Sequence, residues 1–411
     1  MPISRRALVP ASAAALLAGG PVLSGLARAE QRRPHKPATA PAAAPPPAAT
    51  VGTATTPLGP VETVAQWAFI SDFSTGATLL DKDADAPMPP SSMTKLMTAY
   101  IVYSALKAGK LQLDQDLPVS ERAWRTGGSK MFVPYPGRVK VEDLIRGMIV
   151  DSGNDACIVL AEGVAGSEEQ FVELMNQKAK ELGLTHSHFR NTTGLPDADH
   201  VMSAHDIATL AGALIRGFPE YYHFDSEKDY KYNNIVQYNR NPLVQKGLAD
   251  GLKTGHTEAG GYGLVASADR AGRRVIVVLN GMASQHERTQ ESERLLEWAF
   301  REFEDVTLFS AADVVDHVPV WLGVAPSVPL VSGRDLVVTM PRQWQRKARI
   351  TVRFDAPVAA PVAKGVALGR LVVSGDGVPA LDAPLFAGAD VARLALPARA
   401  LAVLSHYVTG G

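Results

Sequence analysis

This chain of 411 residues has a single cysteine, almost no net charge and no clustered histidines, so it lacks the features that would indicate disulfide bonds, a polyanionic partner or a metal. Its single cysteine, Cys157, cannot form an internal disulfide bond, so the fold must be stabilised by its hydrophobic core. Its 41 basic and 42 acidic residues nearly cancel, which argues against nucleic acid as a partner. There is no His-Glu-x-x-His motif and the ten histidines are scattered, so we expect neither a metal site nor a cofactor.

The N-terminal stretch also lacks an apolar run long enough to span a membrane. Pro10 and the Gly-Gly-Pro of residues 19–21 interrupt it before it reaches about 20 apolar residues. Arg5 and Arg6 precede the run, and residues 27–29 fit a small-x-small cleavage site. We therefore predict an export signal over residues 1–29, rather than a membrane anchor, and a location in the periplasm or at the outer face of the cytoplasmic membrane. The arginine pair leaves the general and the twin-arginine export routes open.

The rest of the chain divides into regions that differ in composition and in hydrophobic pattern. Residues 30–60 are dominated by Pro, Ala and Thr without an apolar period, which predicts a flexible linker. In residues 61–303, strand-like segments at both ends enclose a helical middle, which is typical of an antiparallel sheet with packed helices. Residues 304–396 contain short strands separated by Pro and Gly, which predict a small all-β domain. The overall prediction is an α+β fold followed by this second domain.

The last segment, residues 397–411, is predicted to form a short helix or a tail. It would be amphipathic, but Arg399 and His406 are its only basic groups. Peripheral contact with a membrane and a packed or frayed end both remain open.

The segment Ser92-Met93-Thr94-Lys95 opens a long apolar helical pattern and carries the first chemical signal. Residues three apart share a helix face, so the Lys95 amine can approach the Ser92 hydroxyl. A serine needs an adjacent base, and a buried lysine can be that base because burial and the helix N-terminus favour its neutral form. The same spacing recurs at Ser104 and Lys107, near the C-terminal end of the pattern, where the helix dipole favours a charged lysine. We interpret that second pair as a coincidence.

Two further motifs add polar groups. Ser152-Gly153-Asn154 lies between two apolar helical segments, where a short turn can direct a hydroxyl and an amide into a cleft. Lys253-Thr254-Gly255 opens a β-rich region, and Gly255 allows another backbone to approach the strand closely. Each motif alone is better explained as an ordinary turn or a solvated lysine, but together they supply a nucleophile, a base and a cation for a carboxylate.

In this order and at these separations, the three motifs resemble those of penicillin-binding proteins and serine β-lactamases. The surrounding sequence over residues 62–302 is similar to the low-molecular-mass, serine-type D-alanyl-D-alanine carboxypeptidases. It includes "PPSSMTKLMTAY" and "DGLKTGHTEAGGYGLVASADR". The resemblance implies a β-lactamase/transpeptidase-like catalytic domain with an antiparallel sheet and a helical subdomain. It also implies peptidoglycan stem peptides ending in D-Ala-D-Ala as substrates and β-lactam antibiotics as inhibitors.

The resemblance also implies roles for individual residues. Ser92 would be the nucleophile and Lys95 its base. Ser152 would relay a proton to the leaving amine. The implied substrate-binding residues are Asn154, Lys253, Thr254, Gly255, His256 and Arg240, with the backbone N–H groups of Ser92 and His256 as the oxyanion hole.

Two further residues, Arg240 and Asp206, each have a functional and a structural explanation, and Cys157 has a structural one. Arg240 matches a family position that supports carboxylate binding, yet a surface arginine is the alternative. Asp206 occupies a position where the family has an aspartate, and a helix cap explains it equally well. Cys157 lies on an apolar segment and is expected to be a buried small hydrophobe.

Alternative functions are a serine β-lactamase, a D,D-endopeptidase and a non-catalytic wall-binding protein. The Glu-x-x-Leu-Asn segment that a β-lactamase uses to position its water is absent between Asn154 and Lys253, and an added β domain is unusual for that class. All the polar groups of the motifs are intact, which argues against a non-catalytic protein. The sequence leaves the choice between carboxypeptidase and endopeptidase open.

Overall fold

A computed structural model describes residues 51–344, 349–375 and 381–409. The predicted export signal and the predicted linker up to residue 50 lie outside the described residues. In the described part of the chain, the strands are β1 Gly52–Ala54, β2 Val61–Thr63, β3 Trp67–Asp72, β4 Thr78–Lys82, β5 Asp116–Pro118, β6 Arg138–Lys140, β7 Asp229–Tyr232, β8 Ile235–Tyr238, β9 Gly251–Thr257, β10 Gly261–Arg270, β11 Arg273–Met282, β12 Phe303–Phe309, β13 Val314–Trp321, β14 Ser327–Ser332, β15 Leu336–Pro341, β16 Arg349–Phe354, β17 Val358–Ala359, β18 Ala367–Ser374 and β19 Leu381–Ala387.

Helices fill the middle of the chain, as the apolar periodicity predicted. The α-helices of the described residues are α1 Lys95–Lys107, α2 Glu121–Arg125, α3 Val141–Ile149, α4 Asn154–Ala165, α5 Glu168–Glu181, α6 Ala204–Gly217, α7 Pro242–Gln245, α8 Gln285–Glu302 and α9 Leu396–Thr409. Short 3-10 helices cover Ser91–Thr94, Tyr222–Ser226 and Arg342–Trp344.

The region before β12 is organised around a five-stranded antiparallel sheet. Its strand order is β4-β3-β11-β10-β9, so β9 is an edge strand. Helix α6 packs on one face of the sheet and α8 on the other, because each helix has an apolar side. The predicted α+β arrangement is confirmed.

Helix α1 runs through the larger hydrophobic core. Ten of its thirteen residues are buried, so it has little amphipathic character and contacts α3, α4, α5 and α6. Burial on all sides brings its first turn, which includes Lys95, to the junction between the helical region and the sheet, where β9 also contacts the segment Ser91–Thr94.

The predicted linker ends earlier than residue 60, so that boundary was wrong. Strand β1 pairs with β2, and the side chain of Ala54 is fully buried. The backbone of Thr55 exchanges two hydrogen bonds of 2.7 and 2.9 Å with Asp81 of β4. Hydrogen bonds to the edge of β4 offset the conformational entropy that these residues lose when they become ordered. Local composition does not reveal such a partner.

The C-terminal domain is built from β-strands. Its larger sheet has the order β16-β18-β19-β14-β13-β17, and β12 pairs with β15. Arg273 joins it to the catalytic domain: its Nε atom lies 3.1 Å from an oxygen of Asp72 and 3.4 Å from one of Asp305, and Nη1 donates to the carbonyl of Phe303. A delocalised, planar cation suits such a shared, nearly buried position.

Helix α9 follows this domain with much of its apolar surface exposed. The exposed apolar side chains are Leu396, Leu401, Leu404, Tyr407 and Val408. Among the described residues, no helix combines the length and the apolar character needed to cross a membrane.

Candidate active site

The serine of the first motif lies on a short 3-10 helix that leads directly into α1. Ser91 has a positive φ of 50°, and Pro90 precedes it, so the chain turns sharply here. A Cβ atom on Gly255 would lie 2.9 Å from the Cβ atom of Ser91 and 3.3 Å from the nitrogen of Ser92. Only glycine permits strand β9 to approach the nucleophile this closely.

The Lys95 amine contacts three oxygen atoms. Its Nζ atom lies 3.0 Å from Oγ of Ser92 and 2.8 Å from Oδ1 of Asn154. The third contact is the carbonyl oxygen of Thr193, at 2.6 Å. An amide oxygen and a carbonyl oxygen can only accept hydrogen bonds. A neutral amine therefore directs its two N–H bonds at Asn154 and Thr193, and its lone pair faces the hydroxyl of Ser92.

The surroundings of Lys95 favour this neutral form. Burial lowers the pKa of Lys95 to about 8, and the positive charge of Arg240 also lowers it. The side chain is only 1% exposed. About a tenth of the amine is thus unprotonated at pH 7, far more than for a free lysine, and this neutral fraction can act as a general base.

The second motif forms the turn between α3 and α4. Ser152 has a φ of 59°, a strained value for a residue other than glycine, and is 2% exposed. Asn154 Nδ2 donates to the carbonyl of Gly127 at 2.8 Å. This bond fixes the orientation of the amide, so its oxygen faces Lys95.

Asp155 holds the loop that covers this turn. Its carboxylate accepts hydrogen bonds from the backbone N–H groups of Met131, Phe132 and Val133, at 2.9 to 3.2 Å. Because Gly127 at the start of the same loop binds Asn154, the loop and the second motif fix each other.

The third motif lies on the edge strand β9. Lys253 and Thr254 are 3% and 5% exposed, and β9 pairs with β10 on one side. Burial lowers the pKa of Lys253 well below that of a free lysine, and the charges of Lys95 and Arg240 act in the same direction. The amine of Lys253 is thus a buried group whose charged form an approaching carboxylate would stabilise.

Arg240 lies at the rim of the same region. Its Nη1 atom donates to Oγ of Ser129 at 2.6 Å, and its charge acts on Lys95, Lys253 and Asp151. His256 follows the motif on β9, and its ring lies on Tyr262 with the centroids 3.9 Å apart.

Asp151 precedes Ser152 and is almost fully buried. Neither of its carboxylate oxygens has a hydrogen-bond partner within the described residues. Burial raises the pKa of Asp151 to about 7, although the positive charge of Arg240 opposes the rise.

The loop of residues 191–195 also reaches the site and was not predicted from the sequence. The side-chain oxygen of Asn191 accepts hydrogen bonds from the backbone of Thr193 and Gly194, which makes a tight turn. The carbonyl of Thr192 accepts from Thr98 on α1, and that of Thr193 accepts from Lys95. The Asn-Thr-Thr-Gly sequence indicates such a turn, but not what its carbonyls would bind.

Glu168 fixes this loop from the other side. Its Oε1 atom accepts hydrogen bonds from the nitrogen and the hydroxyl of Thr192, at 3.0 and 2.8 Å. Its Oε2 atom accepts from Arg122 at 2.6 Å. Glu168 thus positions an acceptor of Lys95 without touching Lys95, and because it lies 73 positions further along the chain no sequence signal indicates this role.

His200 contacts the first motif through the side chain of Thr94. Its Nε2 atom lies 2.8 Å from Oγ1 of Thr94, and its Nδ1 atom accepts a hydrogen bond from the nitrogen of Arg190. Burial lowers the pKa of His200 to about 4. The ring is therefore neutral and donates from Nε2 to Thr94.

The remaining residues singled out in the sequence lie outside the site or support its frame. Ser104 donates its hydroxyl to the carbonyl of Tyr100, at 2.7 Å. The side chain of Asp206 accepts hydrogen bonds from His186 and Ser187. The N-cap of α6 is Ser203 rather than Asp206. Cys157 is fully buried, as expected, and burial raises the pKa of its thiol to about 12. In residues 51–344, 349–375 and 381–409, no three His, Cys, Asp or Glu side chains are grouped so that they could hold a metal ion.

Comparison with known protein families gives two matches along the chain. The family described as D-alanyl-D-alanine carboxypeptidase matches residues 52–283. The domain described as penicillin-binding protein 5, C-terminal domain, matches residues 303–393.

Similar proteins carry the same name. D-alanyl-D-alanine carboxypeptidase DacC of Escherichia coli (strain K12) is 40% identical over 325 residues, which cover 77% of this chain and 81% of the relative. The DacA protein of Haemophilus influenzae is 38% identical over 340 residues, which cover 81% and 86%.

Solved structures agree with this assignment. Penicillin binding protein 5 from Haemophilus influenzae is similar with a TM-score of 0.74 and 37% identity, over 81% of this chain and 99% of that one. Penicillin-binding protein D2 from Listeria monocytogenes, solved in its ampicillin-bound form, has a TM-score of 0.54 and 29% identity, over 58% and 98% of the two chains. The chain therefore belongs to the D-alanyl-D-alanine carboxypeptidase family of penicillin-binding proteins, and it is a peptidase.

Proposed function

We propose that this chain removes the terminal D-alanine from peptidoglycan stem peptides through an ester on Ser92. The observation that carries the proposal is the set of three oxygens around Lys95, which leaves its lone pair to the hydroxyl of Ser92. The family assignment supports the substrate class, and the geometry supports the roles proposed below.

In the first half-reaction, Lys95 takes the proton of Ser92 while Oγ attacks the carbonyl between the two terminal D-alanines. The backbone N–H groups of Ser92 and His256 are proposed to stabilise the resulting oxyanion, which typically lowers such a barrier by about 2.7–4 kcal/mol per donor. The C–N bond then breaks as Ser152 gives its proton to the leaving amine and takes the proton that Lys95 holds, which leaves Lys95 neutral again. The products are an acyl-enzyme and free D-alanine.

In the second half-reaction, water attacks the ester and restores the hydroxyl of Ser92. Lys95 is again the nearby base, because Asn154 and Thr193 keep its amine beside Oγ. Glu168 is not placed to hold the water, since both its oxygens are engaged by Thr192 and Arg122.

The terminal carboxylate of the substrate is proposed to bind at Lys253 and Thr254, with Arg240 at the rim. A stem peptide can lie along the open edge of β9, where backbone groups supply hydrogen bonds. A carboxylate beside Lys253 would also offset the cost of burying that lysine's charge. This requirement for a free carboxylate favours an exopeptidase.

The decisive test is intact mass spectrometry after incubation with a penicillin, followed by mapping of the modified peptide. We expect one stable adduct on Ser92 and release of D-alanine from diacetyl-L-Lys-D-Ala-D-Ala. An unchanged mass, or an adduct elsewhere, would contradict the proposal. Rapid release of the opened lactam would instead support a β-lactamase, and preferential cleavage of cross-linked dimers would support a D,D-endopeptidase.

We further propose that the protein is exported and contacts a membrane peripherally through α9. The exposed apolar side chains of Leu401 and Leu404, one turn apart, support this placement. Sedimentation with phospholipid vesicles should remove the intact protein from solution, and a Leu401→Ser, Leu404→Ser double variant should stay behind. Equal sedimentation of the two would contradict the membrane contact.

A further inference from the structure

A cavity of about 640 Å³ lies beside the catalytic strand β9. Its wall includes Arg240, His256, Tyr262 and Arg288, and neither aspartate nor glutamate lines it. A third cation of the wall, Lys246, is already paired with a glutamate. The two arginines therefore give the cavity a positive potential that no acidic group of its wall balances.

Arg288 is the most unusual group of this wall. Its side chain is 5% exposed, and its Nε atom has no hydrogen-bond partner in the part of the chain that the structure describes. The guanidinium lies over the ring of Tyr262, 5.7 Å from the centroid. The nearby acids of α8 are engaged elsewhere: Glu287 accepts from the backbone of Ala283, and Glu291 pairs with Arg294.

A buried cation without an anion is costly, and such groups in proteins are usually paired. Burial lowers the pKa of Arg288 to about 10, with a contribution from Arg240, so the guanidinium is charged at neutral pH. A bound anion would offset the cost and satisfy the free donor.

The cavity borders the carboxylate side of the active site, because Arg240 and His256 of the proposed substrate-binding set also line it. Arg240, which lines it, also acts electrostatically on Lys253. His256 and Tyr262 are cross-strand partners in β9 and β10, and their rings, in contact at an interplanar angle of 31°, form the wall next to the third motif. The side chain of a leaving residue whose α-carboxylate lies at Lys253 would enter this cavity if it passed between Arg240 and His256.

We propose that this cavity binds a second carboxylate, on the leaving residue of the substrate, with Arg288 as its main ligand. The inference rests on the proposed function, because it takes Lys253, Thr254 and Arg240 as the site of the first carboxylate. D-alanine, with its methyl side chain, leaves the cavity unused. A D-residue with an anionic side chain fills it, so the enzyme prefers acidic leaving residues to neutral ones of the same size.

Three peptides test this preference: diacetyl-L-Lys-D-Ala followed by D-Ala, D-Glu or D-Gln. The last two have the same shape and differ only in charge. We expect the ratio of kcat/KM for D-Glu over D-Gln release to be about ten in the unmodified protein, since a hydrogen bond to a charged group contributes at least such a factor. Arg288→Gln should bring this ratio close to one, and Arg288→Lys should preserve most of it.

Arg294→Gln is the matched control, because Arg294 lies on the same helix but pairs with Glu291. It should keep the ratio of the unmodified protein. Each ratio is measured within one sample, so it does not depend on how much of a variant has folded. D-alanine release with a ratio near one in the unmodified protein, or a ratio that survives Arg288→Gln, overturns this inference alone. No release from any of the three peptides overturns the proposed function as well.

Discussion

A Ser-x-x-Lys pair lies at each end of helix α1, with Ser92 on the 3-10 helix that precedes it, and the two pairs have opposite surroundings. Lys95 is 1% exposed, whereas the side chain of Lys107 is 56% exposed. Lys107 donates to the carbonyl of Gly217 at 2.7 Å and lies 3.9 Å from Glu220. Identical spacing thus gives a candidate base at one end of a helix and a solvated cation at the other.

The two serines differ in the same way. The hydroxyl of Ser104 is donated to a carbonyl of its own helix, a common arrangement for serine in a helix interior. The hydroxyl of Ser92 faces the amine of Lys95. The spacing determines only that each pair shares a face, and the chemistry depends on what surrounds that face.

The largest expected difference between the pairs comes from removing the serines. Ser92→Ala should lower kcat for D-alanine release by about 10⁶, as loss of a serine nucleophile does in other peptidases. It should also abolish the penicillin adduct in intact mass spectra. Ser104→Ala should keep both activities, and a similar loss in the two variants would contradict the distinction.

Replacing the lysines should give the next largest effect. Lys95→Gln removes the base, and we expect the rate of acylation by a penicillin to fall by about 10²–10⁴. Lys107→Gln changes an exposed ion pair, so its acylation rate should stay within experimental error. The measurement is the time course of adduct formation, with circular dichroism to confirm that both variants are folded.

The rise of activity with pH should reflect the loss of a proton from Lys95. The neutral amine is the active form, so kcat/KM for D-alanine release should reach a plateau above the pKa of Lys95, which is about 8. Below that pH, kcat/KM should fall by about tenfold for each pH unit, because each unit of pH below a pKa lowers the neutral fraction tenfold. A profile that is flat between pH 6 and 8 would show that no group of this kind is the base.

Glu168 and Glu169 form a matched pair that tests whether the loop of Thr193 positions Lys95, with a smaller expected effect. Both glutamates bind Arg122, but only Glu168 binds Thr192. Glu168→Ala should lower kcat/KM by about tenfold, since small displacements of a catalytic group are costly. It should also shift the pH midpoint, because the acceptor Thr193 moves with its loop. Glu169→Ala should leave kcat/KM and the midpoint unaltered, and Glu168→Gln should retain part of the activity.

Arg240→Gln should give the smallest of these effects on Lys95. The charge of Arg240 lowers the pKa of Lys95, so its removal should move the midpoint of the kcat/KM profile to higher pH. The midpoint is read from the shape of the profile, so weaker binding of the substrate does not obscure it. A midpoint that moves to lower pH would contradict the assignment.

Much of this arrangement could be predicted from local patterns. The apolar spacing of α1 indicated a buried helix, and Gly255 indicated a close approach to strand β9. The three motifs indicated which polar groups would meet. Thr193 and Glu168 could not be predicted, because a backbone carbonyl has no sequence signature and Glu168 acts through another residue. The linker boundary was missed because β1 is ordered by its contacts with β2 and β4 rather than by its own composition.

By itself, the sequence determined the order of the motifs, the periods of the helices and strands, and the presence of two Ser-x-x-Lys pairs within one apolar helical pattern. The tertiary structure decided which pair can react. The pKa of a lysine depends on the exclusion of water and on nearby charges and acceptors, and around Lys95 these come from residues up to 145 positions away, such as Asn154, Thr193 and Arg240.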